Sequence, residues 1–166
     1  MCKRDRLKER PDVLAFETDP LEDDIEVTGE VIAKLWISST AVDTDFTVKL
    51  VDVYPPSEDY PEGYHLNLVD TIRRARYRDS WTDPEFLTPG QPVEISIALW
   101  PTANVFKKGH RIRIDVSSSN FPRFDVNPNT GDEVGRHTKM VKAINTVHTS
   151  SKFASRVIVP IIPSED

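Results

Sequence analysis

The sequence predicts an all-β protein, a jelly-roll β-sandwich of two packed antiparallel sheets. Segments rich in β-branched and aromatic residues recur along the 166 residues, and many alternate apolar with polar side chains. Turn-forming pairs such as Asp19-Pro20, Pro55-Pro56 and Pro89-Gly90 separate them. No stretch carries a persuasive amphipathic-helix pattern, and half-polar strand faces suit antiparallel layers better than a parallel sheet with crossover helices.

About eight strands follow in order. Val13 to Thr18 is short and closed by Asp19-Pro20. Ile25 to Ser38 reads as one long extended run, with Val31, Ala33, Leu35 and Ile37 on one face and Ile32, Lys34 and Trp36 on the other. Phe46 to Tyr54 ends at Pro55-Pro56, whose missing amides and fixed φ cannot continue a central strand. Tyr64 to Arg78 is a second long run whose phase shifts near Val69-Asp70, which predicts a bulge or a break. Val93, Ile95, Ile97 and Leu99 alternate cleanly until Pro101. Gly109 opens His110 to Ser118, with Ile112, Ile114 and Val116 opposite Arg111, Arg113 and Asp115. Asn145 to His148 and Ser155 to Ile162 complete the set, and Asp83 to Leu87 reads as one short helical turn. The polar, aperiodic segment Ser117 to Lys139 stands apart. Connections of that length are functional, interfacial or disordered, and Phe121 and Phe124 argue against disorder.

Composition narrows the function. With 38% hydrophobic and 29% charged residues the chain is globular, and a net charge of −6 disfavours a phosphate-tracking surface. Arg73, Arg74, Arg76 and Arg78 cluster in sequence, but the acidic balance of the chain as a whole means that no nucleic-acid partner is expected. No apolar run approaches the ~20 residues of a membrane span. The basic opening Met1-Cys2-Lys3-Arg4 lacks the apolar stretch of a secretory leader, and Cys2 is the single cysteine. A cytoplasmic setting is the expectation.

Chemistry is sparse. The glycines at 29, 63, 90, 109, 131 and 135 form no Gly-x-Ser-x-Gly elbow. His65, His110, His137 and His148 have no metal-ligand spacing, and His110 and His148 read as solvent-edge or backbone-bonded rings at strand ends. Asp125-x-Asn127-x-Asn129 begins like a calcium loop. Its glycine then falls late at Gly131, Pro128 stiffens the middle, and Arg136 takes the closing glutamate position, so a turn is expected. Trp36, Trp81, Trp100 and the four tyrosines could line a sugar platform, which keeps a carbohydrate-binding module as the alternative to core or interface packing. No catalytic, cofactor-binding or metal-binding residue is assigned.

Collinear motifs then point to a family. They include Arg10-Pro11-Asp12-Val13-Leu14, Asp19-Pro20-Leu21, Glu26-Val27-Thr28-Gly29, Ser38-Ser39-Thr40-Ala41 and Lys49-Leu50-Val51-Asp52-Val53. Further along come Arg76-Tyr77-Arg78, Asn104-Val105-Phe106, Gly109-His110-Arg111-Ile112, Val116 to Pro122, Asn127 to Gly131 and the closing Ile158 to Ile162. The series resembles the C-terminal domain of the CocE/NonD hydrolases, also called the X-Pro dipeptidyl-peptidase C-terminal domain. The group includes cocaine esterase, α-amino acid ester hydrolases and cephalosporin acylases.

The resemblance implies a galactose-binding-like jelly roll over residues 10–162, between a linker over 1–9 and a tail over 163–166. It implies a serine hydrolase parent whose catalytic residues lie in a preceding α/β-hydrolase domain, so the chain alone is expected not to be an enzyme. That domain is the expected partner, and self-association through exposed apolar surface is a further route. Within the loop Asn120 to Arg136, the candidate docking residues are Asn120, Phe121, Pro122, Arg123, Phe124 and Asp125. Phe121, Pro122 and Phe124 would be its apolar anchors, with Arg123 and Asp125 setting register.

Overall fold

The structure, a computed structural model, describes residues 10–133 and 135–163. The expected linker with Cys2, and all of the expected tail except Pro163, lie outside them. The architecture is the expected all-β jelly-roll sandwich. Its strands are β1 (Val13–Glu17), β2 (Ile25–Gly29), β3 (Ile32–Ser39), β4 (Asp45–Tyr54), β5 (Tyr64–Arg74), β6 (Val93–Ala98), β7 (Thr102–Phe106), β8 (Arg111–Ser117), β9 (Asn145–His148), β10 (Arg156–Ile158) and β11 (Ile161–Ile162). A 3-10 turn over Ala75–Tyr77 is the only helical element among the described residues.

One layer is the sheet β1-β8-β4-β5, antiparallel throughout. The other is bent. β3 lies between β6 on one side and both β9 and β10 on the other, while β2 carries β7 and β11. Each chain run in this layer breaks at the same level: at Gly29 to Val31, at Leu99 to Pro101 and at Val159-Pro160. Leu99 N donates to Val31 O at 2.8 Å and Thr28 N to Pro160 O at 3.3 Å, so the break itself is stitched. Gly29 stands there at φ 134°, and a Cβ on it would meet Pro160 Cγ at 3.1 Å. Glycine is required by both facts.

This bend accounts for most departures from the expected strands. Ile25 to Ser38 is two strands, and Ser155 to Ile162 is two short ones. β7 was not expected, because Pro101 reads as a stop; the proline sits in the bend and the ladder resumes beyond it, burying Phe106 completely. The phase shift in β5 is a bulge at Leu68, since Leu50 pairs with Val69 and Val51 with Asn67. β5 stops at Arg74, short of the expected Arg78. Asp83 to Leu87 forms no helical turn: Glu85 N bonds Arg76 O at 2.7 Å, Leu87 N bonds Val42 O at 2.8 Å, and Leu87 enters the core.

The core lies between the layers. Ala33, Leu35 and Ile37 of β3 and Ile95 and Ile97 of β6 meet Phe46, Val48 and Leu50 of β4 and Ile114 and Val116 of β8. Each large apolar side chain so buried contributes about 1.5–3 kcal/mol. The opposite face of β8 is buried too. Arg113 is inaccessible and grips Asp115 through Nε to Oδ1 at 2.6 Å and Nη2 to Oδ2 at 2.8 Å, while its Nη1 meets His65 Nδ1 at 2.9 Å.

Candidate docking surface

The long segment after β8 is anchored by a buried polar network. Asp43 and Asp45 lead into β4, and Arg74 and Arg76 close β5, so antiparallel pairing brings the four together. Arg74 grips Asp45 with two bonds of 2.9 and 3.0 Å. That bonding raises the guanidinium's pKa further, against the desolvation that would lower it. Arg76 turns inward to Asp43, donating from N at 3.0 Å and from Nε at 2.8 Å, which is why the strand becomes a 3-10 turn here. Its Nη1 and Nη2 reach Gly131 O and Asp132 O, both at 3.0 Å. Asn127 completes the set by donating to Asp43 Oδ2 at 2.9 Å and Asp45 Oδ1 at 2.8 Å. Buried charges are tolerable when every one is paired and hydrogen-bonded in this way.

From this base the expected docking residues project. Phe121 is 70% exposed, and Pro122, Arg123 and Asp125 are also exposed, whereas Asn120 and Phe124 are half-buried. Arg123 is tied within the domain to Asp70 at 2.5 Å, and Asn120 donates to the same carboxylate. The apolar anchor and the polar groups therefore divide: Phe121 faces outward, and Asn120 and Arg123 hold the turn. Nearby, the β3–β4 connection carries a second apolar group. Val42 and Phe86 approach Gly131, and Ile144, 65% exposed, bonds Thr40 through its backbone.

The remaining sequence candidates fall elsewhere. His110 is buried and bonds the Asp52 carboxylate at 2.9 Å under the Tyr54 ring, rather than sitting at a solvent edge. His148 bonds the Ser38 hydroxyl at 2.9 Å. That pairing joins residues far apart in sequence and had no motif to announce it. It has the reach of a nucleophile and base, but both residues sit on the paired strands β3 and β9 and not on a strand-to-helix elbow. The three calcium-like residues do not converge. Asn127 spends its amide on Asp43, Asp45 and the Asn129 N–H, Asn129 takes φ 63° and bonds Val141 O, and Asp125 is exposed. Trp36 packs on Phe153 and Trp81 covers Arg73 at 3.6 Å, while Trp100 stands exposed at the bend. Among the described residues no ring contact joins two of these tryptophans, whereas Tyr64 meets both Tyr54 and Tyr60.

Comparison with known proteins places this geometry. The profile of the X-Pro dipeptidyl-peptidase C-terminal non-catalytic domain matches residues 4–158. The chain belongs to this family. Within the X-Pro dipeptidyl-peptidase C-terminal family, the chain is similar to the cocaine esterase of Rhodococcus sp. (strain MB1 Bresler), at 44% identity over 94% of the chain and 26% of the esterase. It superposes on an α-amino acid ester hydrolase with a TM-score of 0.89 at 34% identity, over 96% of the chain and 27% of that protein. An aminopeptidase from a marine sediment Thaumarchaeota archaeon gives 0.88 at 32% identity, over 93% and 26%. The chain thus spans about a quarter of the length of these relatives. By the family's description the domain is non-catalytic, and in the cocaine esterase and the aminopeptidase the matching region is one part of a longer chain. No helix among the described residues is long and apolar enough to cross a membrane.

Proposed function

We propose that this sandwich docks on and supports the α/β-hydrolase catalytic domain of a serine hydrolase, an X-Pro dipeptidyl-peptidase, a CocE-like esterase or an acylase. The domain adds no reacting group of its own. It presents a rigid surface through Asn120 to Asp125, in a cytoplasmic setting consistent with a single cysteine. One observation carries the reading: Phe121 is 70% exposed on a loop whose base is locked by the buried Asn127, Asp43 and Asp45 bonds. A large aromatic held rigidly in water is the pattern of an interface anchor, because little conformational entropy remains to be lost on docking.

The test replaces Phe121 and Phe124 by serine in the complete polypeptide. Association of the two domains should weaken by about 2 kcal/mol or more, the scale of an aromatic anchor. Hydrolytic activity should become more heat-labile. Phe121→Ser alone, made in the 166-residue chain, should leave its own unfolding midpoint unchanged. A complete polypeptide whose stability and activity ignore both substitutions would refute the docking role.

A further inference from the structure

A small pocket of about 110 Å³ opens beside Phe121 on the outer face of the β1-β8-β4-β5 sheet. Lys49, Arg10, Asp115, Ser117, Ser119 and Asn120 are among its lining residues. In the ladders Lys49 stands between Asp115 of β8 and Asp70 of β5, so three charges share one row. Their pairing is unequal. Arg113 holds both oxygens of Asp115, Arg123 and the Asn120 amide hold those of Asp70, and Arg10 is held by Asp12. Lys49 has only the neutral Oδ1 of Asn120, at 3.1 Å. Among the described residues no carboxylate lies within salt-bridge distance of its ammonium. Asn120 cannot turn away, because its own Nδ2 is committed to Asp70 at 2.5 Å.

An ammonium has three donors, and here one is spent on a fixed amide. The half-buried stem of Lys49 costs some hydration, and a pocket-lining cation without an ion-pair partner of its own attracts an anion of matching size once the neighbouring carboxylates are held by Arg113 and Arg123. The volume admits a carboxylate group with its adjoining methylene. The ring of Phe121 provides an apolar wall for that methylene.

We infer that this pocket receives an Asp or Glu side chain from the catalytic domain, forming the charged centre of the interface that Phe121 flanks. The inference rests on the docking role proposed above and gives the partner surface its chemistry: an exposed carboxylate opposite Lys49. Phe121 contributes area, and the buried ion pair sets register.

Amide hydrogen exchange over Ser117 to Phe124 tests this, as the ratio of protection in the complete polypeptide to that in the 166-residue chain. In low salt that ratio should fall about ten-fold in Lys49→Met, which keeps the stem and removes the charge, and be largely retained in Lys49→Arg. About 1 M salt should bring the wild-type ratio toward the Lys49→Met value. Taking the ratio removes any effect of Lys49 on the loop's own stability. A ratio unchanged by Lys49→Met while Phe121→Ser lowers it would overturn the pocket and leave the docking role standing. Equal losses in the Met and Arg variants would also overturn it, since shape rather than charge would then matter. A wild-type ratio of one across the loop would overturn the docking role itself.

Discussion

Asp43 has no access to solvent, and its carboxylate accepts from Arg76 N, Arg76 Nε and Asn127 Nδ2. Replacing it by alanine would leave the Arg76 guanidinium buried beside a void, a change that costs about 3–5 kcal/mol. Urea denaturation of Asp43→Ala should show that loss. Asn127→Ala should cost less, about 1–3 kcal/mol, because the two carboxylates keep their arginines. It should instead speed proteolysis within Ser117 to Lys139. Taken alone, the sequence marked Asn127 as a turn former with a calcium-like spacing. Its partners stand some eighty positions earlier, and nothing local announces them. The same holds for His110, which spacing assigns to a strand edge and which the fold drops onto Asp52.

Among the elements, the bend of the second layer was the least legible feature. Alternation continues through Val31, so Ile25 to Ser38 looks like one strand; the backbone at Gly29 nevertheless reverses φ and the ladder changes partners. A valine at Gly29 would have to adopt that φ and displace Pro160. Gly29→Val should therefore lower stability by about 1–3 kcal/mol. Exchange of the β2–β11 amides, at Val27 and Ile161, should accelerate most. Where one strand face is wholly apolar the reading was sound: Ala33, Leu35, Ile37, Ile95 and Ile97 are all buried as the alternation required. β7 shows the limit of a proline as a stop signal, since Pro101 needs only to sit where the ladder already gives up its bonds.

Across the whole molecule, the two layers meet over one shared apolar core. The sandwich gapes between β1 and β10, where Phe16, Ile112, Ile114, Val157 and Val159 line an apolar groove of about 430 Å³. Ser38 and His148 lie in contact on a ladder, without a strained elbow to raise the hydroxyl toward a substrate. A fluorophosphonate probe should leave the 166-residue chain unlabelled at Ser38, and mass spectrometry of the treated protein would reveal any adduct. Period-two alternation and proline punctuation were enough to determine the all-β class and the core faces of the main strands, because those signals are local and each residue carries them alone. Which charges pair, where the second layer bends, and that Lys49 is left with a single neutral partner were decided only when strands distant in sequence came into register. Electrostatic pairing acts over a few ångströms in space, and the order of residues along the chain does not encode that distance.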